Sequence, residues 1–323
     1  METSKSALQV MLRAYEIAQE VWPDYSSPWS RQEFTQPQLF ACLAVREMLQ
    51  LSYRRAEVFL GDVPDWLARI DLARAPDHNT LWRAFGRLLK PAKIRRAMDL
   101  LAEADRRLGR DLAAKPLSID STCYEDHHRS DHDRRVCQKR HRAEGKKGRK
   151  SPGSWGYKTN ASRRRRLRAM PKLTLAVAAA SHRILAMKAV TGGGSDAPDF
   201  APLLAESLRR GKVRTVVADA GYDAEHNHEA ARLQMKVRSV IPATIGRPSV
   251  QPPAGRFRRL MKQRFARKAD ARVYGQRAQS ETVNSMMKRN LGDSLRSIKP
   301  KRRKQEMLLK SLVHNLMLDK GRD

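Results

Sequence analysis

Acids are scarce in this chain: 34 Asp and Glu stand against 65 Lys and Arg, a formal charge of +31 over 323 residues. That imbalance sets it apart from a neutral cytosolic enzyme. Cysteine is nearly absent, and Cys42, Cys123 and Cys137 cannot build a disulfide framework, which fits a reducing compartment. No apolar run approaches the roughly 18 residues of a membrane span. The opening METSKSALQVMLRAYE also lacks the charged-then-apolar order of a secretion signal. A cytoplasmic location and no membrane partner are therefore expected. No internal repeat is found. What is present is enough apolar material, 41% of residues, for a real core, and a length that suggests two domains.

The positive charge is concentrated. Arg129–Arg168 carries a net +13 and Arg256–Lys304 a net +14, each with only three acids. A solvated surface usually mixes both signs. One-signed clusters release counterions on binding a phosphate backbone, so nucleic acid is the expected partner.

Residues 1–111 read as helical, because apolar positions recur every three or four residues. Thr35-Gln-Pro-Gln opens one helix, Ser52 caps a second that stops at Gly61, and Asn79 caps a third carrying Trp82 and Phe85. Such a module suits either DNA contact, as in a helix-turn-helix, or dimerisation. From Leu112 the pattern changes to an α/β alternation. Strands are expected at Leu117–Asp120, Lys172–Ala180, Ile184–Val190, Val213–Asp219 and Val237–Pro242, with helices near 196–210 and 223–235. Residues 244–272, rich in Pro, Gly and Arg, read as a loop or linker. A long helix is expected over 271–291, and a final one over 303–318 with Leu308, Leu312 and Leu316 as its apolar stripe.

Two acids end strands, Asp120 in SIDST and Asp219 in VVADAGYD. Open α/β sheets carry their sites at such edges. Paired acids repel unless a cation neutralises them, which points to Mg²⁺ or Mn²⁺. Taken alone, each acid is equally a turn former. On one continuous helix Tyr274, Arg277, Glu281 and Lys288 fall on one face, with Asn284 beside them. One acid among cations suits a phosphoryl-transfer site, whereas the alternative is a solvated helix face with i, i+4 ion pairs.

At these motifs the chain resembles the DDE transposases of prokaryotic insertion sequences. Tyr274, Arg277, Glu281 and Lys288 fit the Tyr-x2-Arg-x3-Glu-x6-Lys signature at every position. Asp120-Ser-Thr and Ala218-Asp219-Ala-Gly221-Tyr222-Asp223 resemble the blocks of the first and second acids, and Pro76–Leu88 resembles the helical lead-in. The resemblance implies a ribonuclease-H-like mixed sheet flanked by helices over 112–323, behind the all-α region 1–111. It implies catalytic Asp120, Asp219 and Glu281 holding two Mg²⁺ or Mn²⁺ ions. It further implies cleavage beside terminal inverted repeats, joining to target double-stranded DNA, a homodimer on the paired ends, and a nucleoid-associated protein.

Arg277, Lys288 and Tyr274 are the candidate phosphate and backbone contacts. Arg163, Arg164, Arg165 and Arg166 in the basic insertion at about 125–170, interleaved with Trp155 and Tyr157, are candidate DNA-tracking residues. Only some 60 residues separate Asp219 from Glu281, too few for the large strand-rich insertion of some relatives. A rival site is the Cys123, His127, His128, His132, Cys137, His141 cluster, whose spacing fits no standard zinc pattern. Two rival functions stand beside transposition: a non-catalytic, transposase-derived DNA-binding protein, and a metal-dependent nuclease without strand transfer.

Overall fold

The computed structural model describes residues 4–29, 31–109, 115–126, 170–192, 194–243 and 253–318. The basic run Arg163–Arg166 and the histidines of the Cys/His cluster lie outside them. Six helices come first: α1 Ala7–Val21, α2 Gln36–Met48, α3 Tyr53–Gly61, α4 Pro64–Ala68, α5 His78–Leu88 and α6 Pro91–Arg107. Their starts follow local capping chemistry. Thr35 and Gln38 form a reciprocal capping box on α2, and Ser52 accepts from Arg55 N on α3. The cap of α5 is Asp77 rather than Asn79: its carboxylate accepts from the backbone of Asn79 and Thr80 at 2.8 and 3.0 Å. An ionised cap is the stronger acceptor for helix N–H groups.

The chain then forms a five-stranded mixed sheet, as expected of a ribonuclease-H-like core. Its order is β4-β3-β1-β5-β6, from β1 Leu117–Cys123, β3 Pro171–Ala178, β4 Arg183–Thr191, β5 Thr215–Ala218 and β6 Arg238–Val240. β1, β3 and β4 pair antiparallel, whereas β5 and β6 run parallel to β1 and to each other. A separate short pair joins β2 Glu125–Asp126 to β7 Ser294–Leu295. The remaining helices are α7 Phe200–Arg210, α8 Glu225–Glu229, α9 Arg256–Ala266, α10 Ala271–Tyr274, α11 Ala278–Leu291 and α12 Pro300–Met317.

Alternation along the strands sorts side chains into two layers. Leu117, Ile119, Ala176 and Ala178 face α7 and the segment after α8, where Phe200, Leu203, Leu204 and Ala231 complete one core. Leu173, Leu175, Val177 and Ile184 face the other way and share a second core with α1–α6, α11 and α12.

Three further expectations are corrected. Residues 256–266 form α9 instead of a loop, because the Glu225 carboxylate accepts from Phe257 N and Arg258 N at 2.8 and 3.0 Å and supplies the missing cap from another helix. The expected helix over 271–291 runs on in right-handed helical backbone but tightens to a three-residue turn at Gly275–Arg277, which separates α10 from α11. The last helix has no solvent face along most of its length: every residue from Gln305 to Met317 is buried, since the N-terminal helices cover one side and the sheet the other.

Candidate active site

Parallel pairing of β1 with β5 ends at Ile119 opposite Ala218. The next residue on each chain is an aspartate, so Asp120 and Asp219 emerge side by side. Asp120 lies mid-strand rather than at a strand end, because β1 continues to Cys123 against β3 alone. Asp219 caps the tight turn Ala220–Tyr222 through Gly221 N. A methyl group at Gly221 would sit 2.8 Å from Asp219 Oδ1, so a larger residue here would push that carboxylate aside.

Helix α11 lies across β1. Ser118, two residues before Asp120 and on the same face, bonds Ser280 Oγ at 2.9 Å, and Ser280 Oγ donates to Arg277 O at 2.8 Å. His182 holds Gln279 at 2.6 Å from the β3–β4 turn. Val283 and Met287 anchor the inner side in the core. These contacts turn Glu281, Ser285, Lys288 and Arg289 toward an open depression that Asp120 and Ser121 also line. Asn284 Nδ2 donates to Asp120 Oδ2 at 3.1 Å, and its Oδ1 is buried without a partner among the described residues.

Burial pushes the Asp120 carboxyl above its usual range. The backbone of Ser121 and the charge of Arg277 oppose that shift, and the charges of Asp219 and Glu281 add to it. Glu281 is engaged elsewhere: its Oε1 accepts from Arg277 at 2.6 Å, with 55% of its side chain exposed. Among the described residues no three His, Cys, Asp or Glu side chains converge closely enough to hold an ion as they stand. Tyr274 ends α10, its ring edge-on to Phe265 at 5.1 Å and 5.9 Å from the Arg277 guanidinium. Burial raises its pKa, Arg277 opposes the shift and the charges of Asp219 and Glu281 add to it, which puts the phenol within reach of the acids. Lys288 Nζ lies 5.8 Å from the ring of buried Tyr124.

The family model of the transposase DDE domain matches residues 115–316, a span holding every one of these groups. The chain belongs to that family. No curated protein and no solved structure gives a significant match. Membership makes the protein a transposase- or nuclease-type enzyme with DNA as its substrate, in a family that generally uses divalent metal ions. Among the described residues no helix is long and apolar enough to cross a membrane.

Several residues around the site carry no motif. The bond from Asn284 to Asp120 joins residues far apart in sequence. Lys172, with 8% of its side chain exposed, extends from β3 to Asp196 at 2.6 Å and toward Asp199 at 3.9 Å, putting a buried cation beside the acids. The signal available was the alternation Ser118-x-Asp120-x-Thr122, polar residues on one face of β1 beside apolar Leu117 and Ile119 on the other.

Proposed function

We propose that the protein is the DNA transposase of a prokaryotic insertion sequence of the Tyr-x2-Arg-x3-Glu-x6-Lys group. It binds terminal inverted repeats, cuts beside them and joins the freed 3′-hydroxyl to target DNA. The observation that carries this reading is the shared depression of Asp120 and Glu281, with Asp219 just past the end of the neighbouring parallel strand. Asp120, Asp219 and Glu281 are its catalytic acids and the holders of two divalent ions.

The residues fit such ions in kind. All donors are oxygens, the Asp120 carboxyl is raised by burial, and buried Asn284 Oδ1 has a lone pair to spare. Bound Mg²⁺ or Mn²⁺ would activate the attacking hydroxyl and offset charge on the leaving oxygen. The protein groups do the rest. Glu281 leaves Arg277 to join the aspartates, which costs about 1 kcal/mol or less for an exposed pair. Arg277 and Lys288 grip the phosphate, Asn284 fixes the Asp120 carboxylate, and Tyr274 contacts the DNA backbone. The helical region 1–111 serves as a DNA-binding or dimerisation module. The protein works on nucleoid DNA in the cytoplasm, as a homodimer once two ends are paired.

The test compares the full chain with Glu281→Ala on labelled DNA carrying candidate terminal repeats, with Mg²⁺ or Mn²⁺, at matched DNA occupancy. Wild type should give cut and joined strands, and the variant roughly a thousandfold less of both. Cut strands that are never joined would mark a nuclease. Bound DNA left intact by both proteins would mark a non-catalytic DNA-binding protein.

A further inference from the structure

A second depression lies on the N-terminal helices, between the first turns of α3 and α5, lined by Ser52, Arg54, His78, Asn79 and Trp82. Trp82 is 48% exposed, an unusual state for so large a ring. Its indole is held from below: the Arg302 guanidinium stacks 4.6 Å from the ring centre and donates to Trp82 O at 2.9 Å. The same guanidinium lies flat on the α5 backbone at Gly86, where a methyl group would come within 2.6 Å of it.

Arg302 belongs to the start of α12, which reads Pro300-Lys-Arg-Arg-Lys with no acid in its first turn and no side-chain cap. The positive end of a helix dipole disfavours cations. Lys299, Lys301 and Lys304 are nonetheless exposed there, and Arg54 and Arg55 are exposed at the start of α3. The nearby acids are committed: Glu57 holds His78 at 2.7 Å and Asp77 caps α5. Cations gathered against a dipole of the same sign weaken the fold, so the arrangement suits a bound polyanion.

This face is continuous with the depression at Asp120. Arg289 lines the first depression; the next residue, Asn290, accepts from Gln50, and Arg296 donates to Leu51 O, one residue before Ser52. The path through these contacts is at most on the order of 15–20 Å, a span of no more than about five base pairs at ~3.4 Å each. We propose that the Trp82–Arg302 face, with Arg54 and the lysines that open α12, is a second contact for duplex DNA, gripping the flank of the duplex whose scissile phosphate lies at Asp120 and Glu281. The inference rests on the reading above. Arg54 and Lys301 bind phosphates, and the exposed indole packs on the sugar edge between them.

The test is fluorescence anisotropy of a fluorescein-labelled, mixed-sequence duplex with the full chain across a salt series. The variants are Trp82→Ala, the double variant Arg54→Gln with Lys301→Gln, and Lys288→Gln in the first depression. The control is Arg106→Gln with Arg107→Gln, at the far end of α6. The double variant should bind about tenfold more weakly at low salt, with the slope of log affinity on log salt reduced by about two. Trp82→Ala should weaken binding at unchanged slope, and the control should match wild type. A double variant with wild-type affinity and slope, while Lys288→Gln is impaired, would overturn the second contact and leave the function intact. A wild-type chain that binds no duplex at all would overturn the functional reading with it.

Discussion

Gly221 shows how tightly single residues are drawn at the acid cluster. Its amide serves Asp219, and its missing side chain leaves room for the Asp219 carboxylate. Gly221→Ala should displace the Asp219 carboxylate and lower cleavage roughly ten- to a hundredfold, with little change in melting temperature; a fully active variant would refute the crowding argument. His314 on α12 is buried, and burial pulls its pKa down to about 4, helped by Arg183 and opposed by its bond to His182 O. The native state keeps it neutral, while the unfolded chain takes up a proton near pH 6.5. Its contribution is thus complete above that pH and lost as pH falls toward 4, amounting to about 2 kcal/mol near pH 5. Urea unfolding of wild type and His314→Gln should differ by that much less at pH 5 than at pH 7.

Elements differ in how far their own residues specify them. β3 and β4 were legible because apolar runs of eight or nine residues bounded by turns have few alternatives, and α2 and α3 because their caps are local. Asp77→Ala, which strips the cap from α5, should lower stability by about 1 kcal/mol in urea titration. Helix α9 was illegible for the opposite reason. Its determinants come from elsewhere: Glu225 caps it, and Asp223 takes Arg258 through two bonds of 2.8 and 2.9 Å. At the site, Arg277, Glu281 and Lys288 could be projected on one helix; Glu281 and Lys288 do line the depression, and Arg277 bonds Glu281. Tyr274 precedes a tighter turn at Gly275–Arg277, so its ring packs edge-on to Phe265 while still feeling the charges of Arg277, Asp219 and Glu281. Asp120 and Asp219 were recognisable as residues, but their adjacency depends on the parallel register of β1 and β5, which no local pattern encodes.

Across the whole molecule, ion pairs with buried members bind the N-terminal helices to the sheet and to the helices packed on it. Arg183 of β4 meets Asp105 of α6 at 2.8 Å, Arg210 of α7 meets Asp99 at 2.8 Å, and Lys310 of α12 meets Glu47 of α2 at 3.0 Å. Apolar packing runs through the same contacts. Calorimetry of the full chain should therefore show one unfolding transition for the described parts, and two separated transitions would contradict the shared core. Asp105→Ala leaves Arg183 buried with its main counter-charge gone and should cost about 3–5 kcal/mol, lowering the midpoint of that single transition.

The position of α12 in the chain also sets a clock. This helix is the centrepiece on which α1, α2 and α6 close, yet it is synthesised about 200 residues after them. At ~5–20 residues per second, the nascent helical region waits on the order of 10–40 s for the segment that covers it. During translation it is sticky, and the ribosome-bound chain is where aggregation or chaperone capture would be decided.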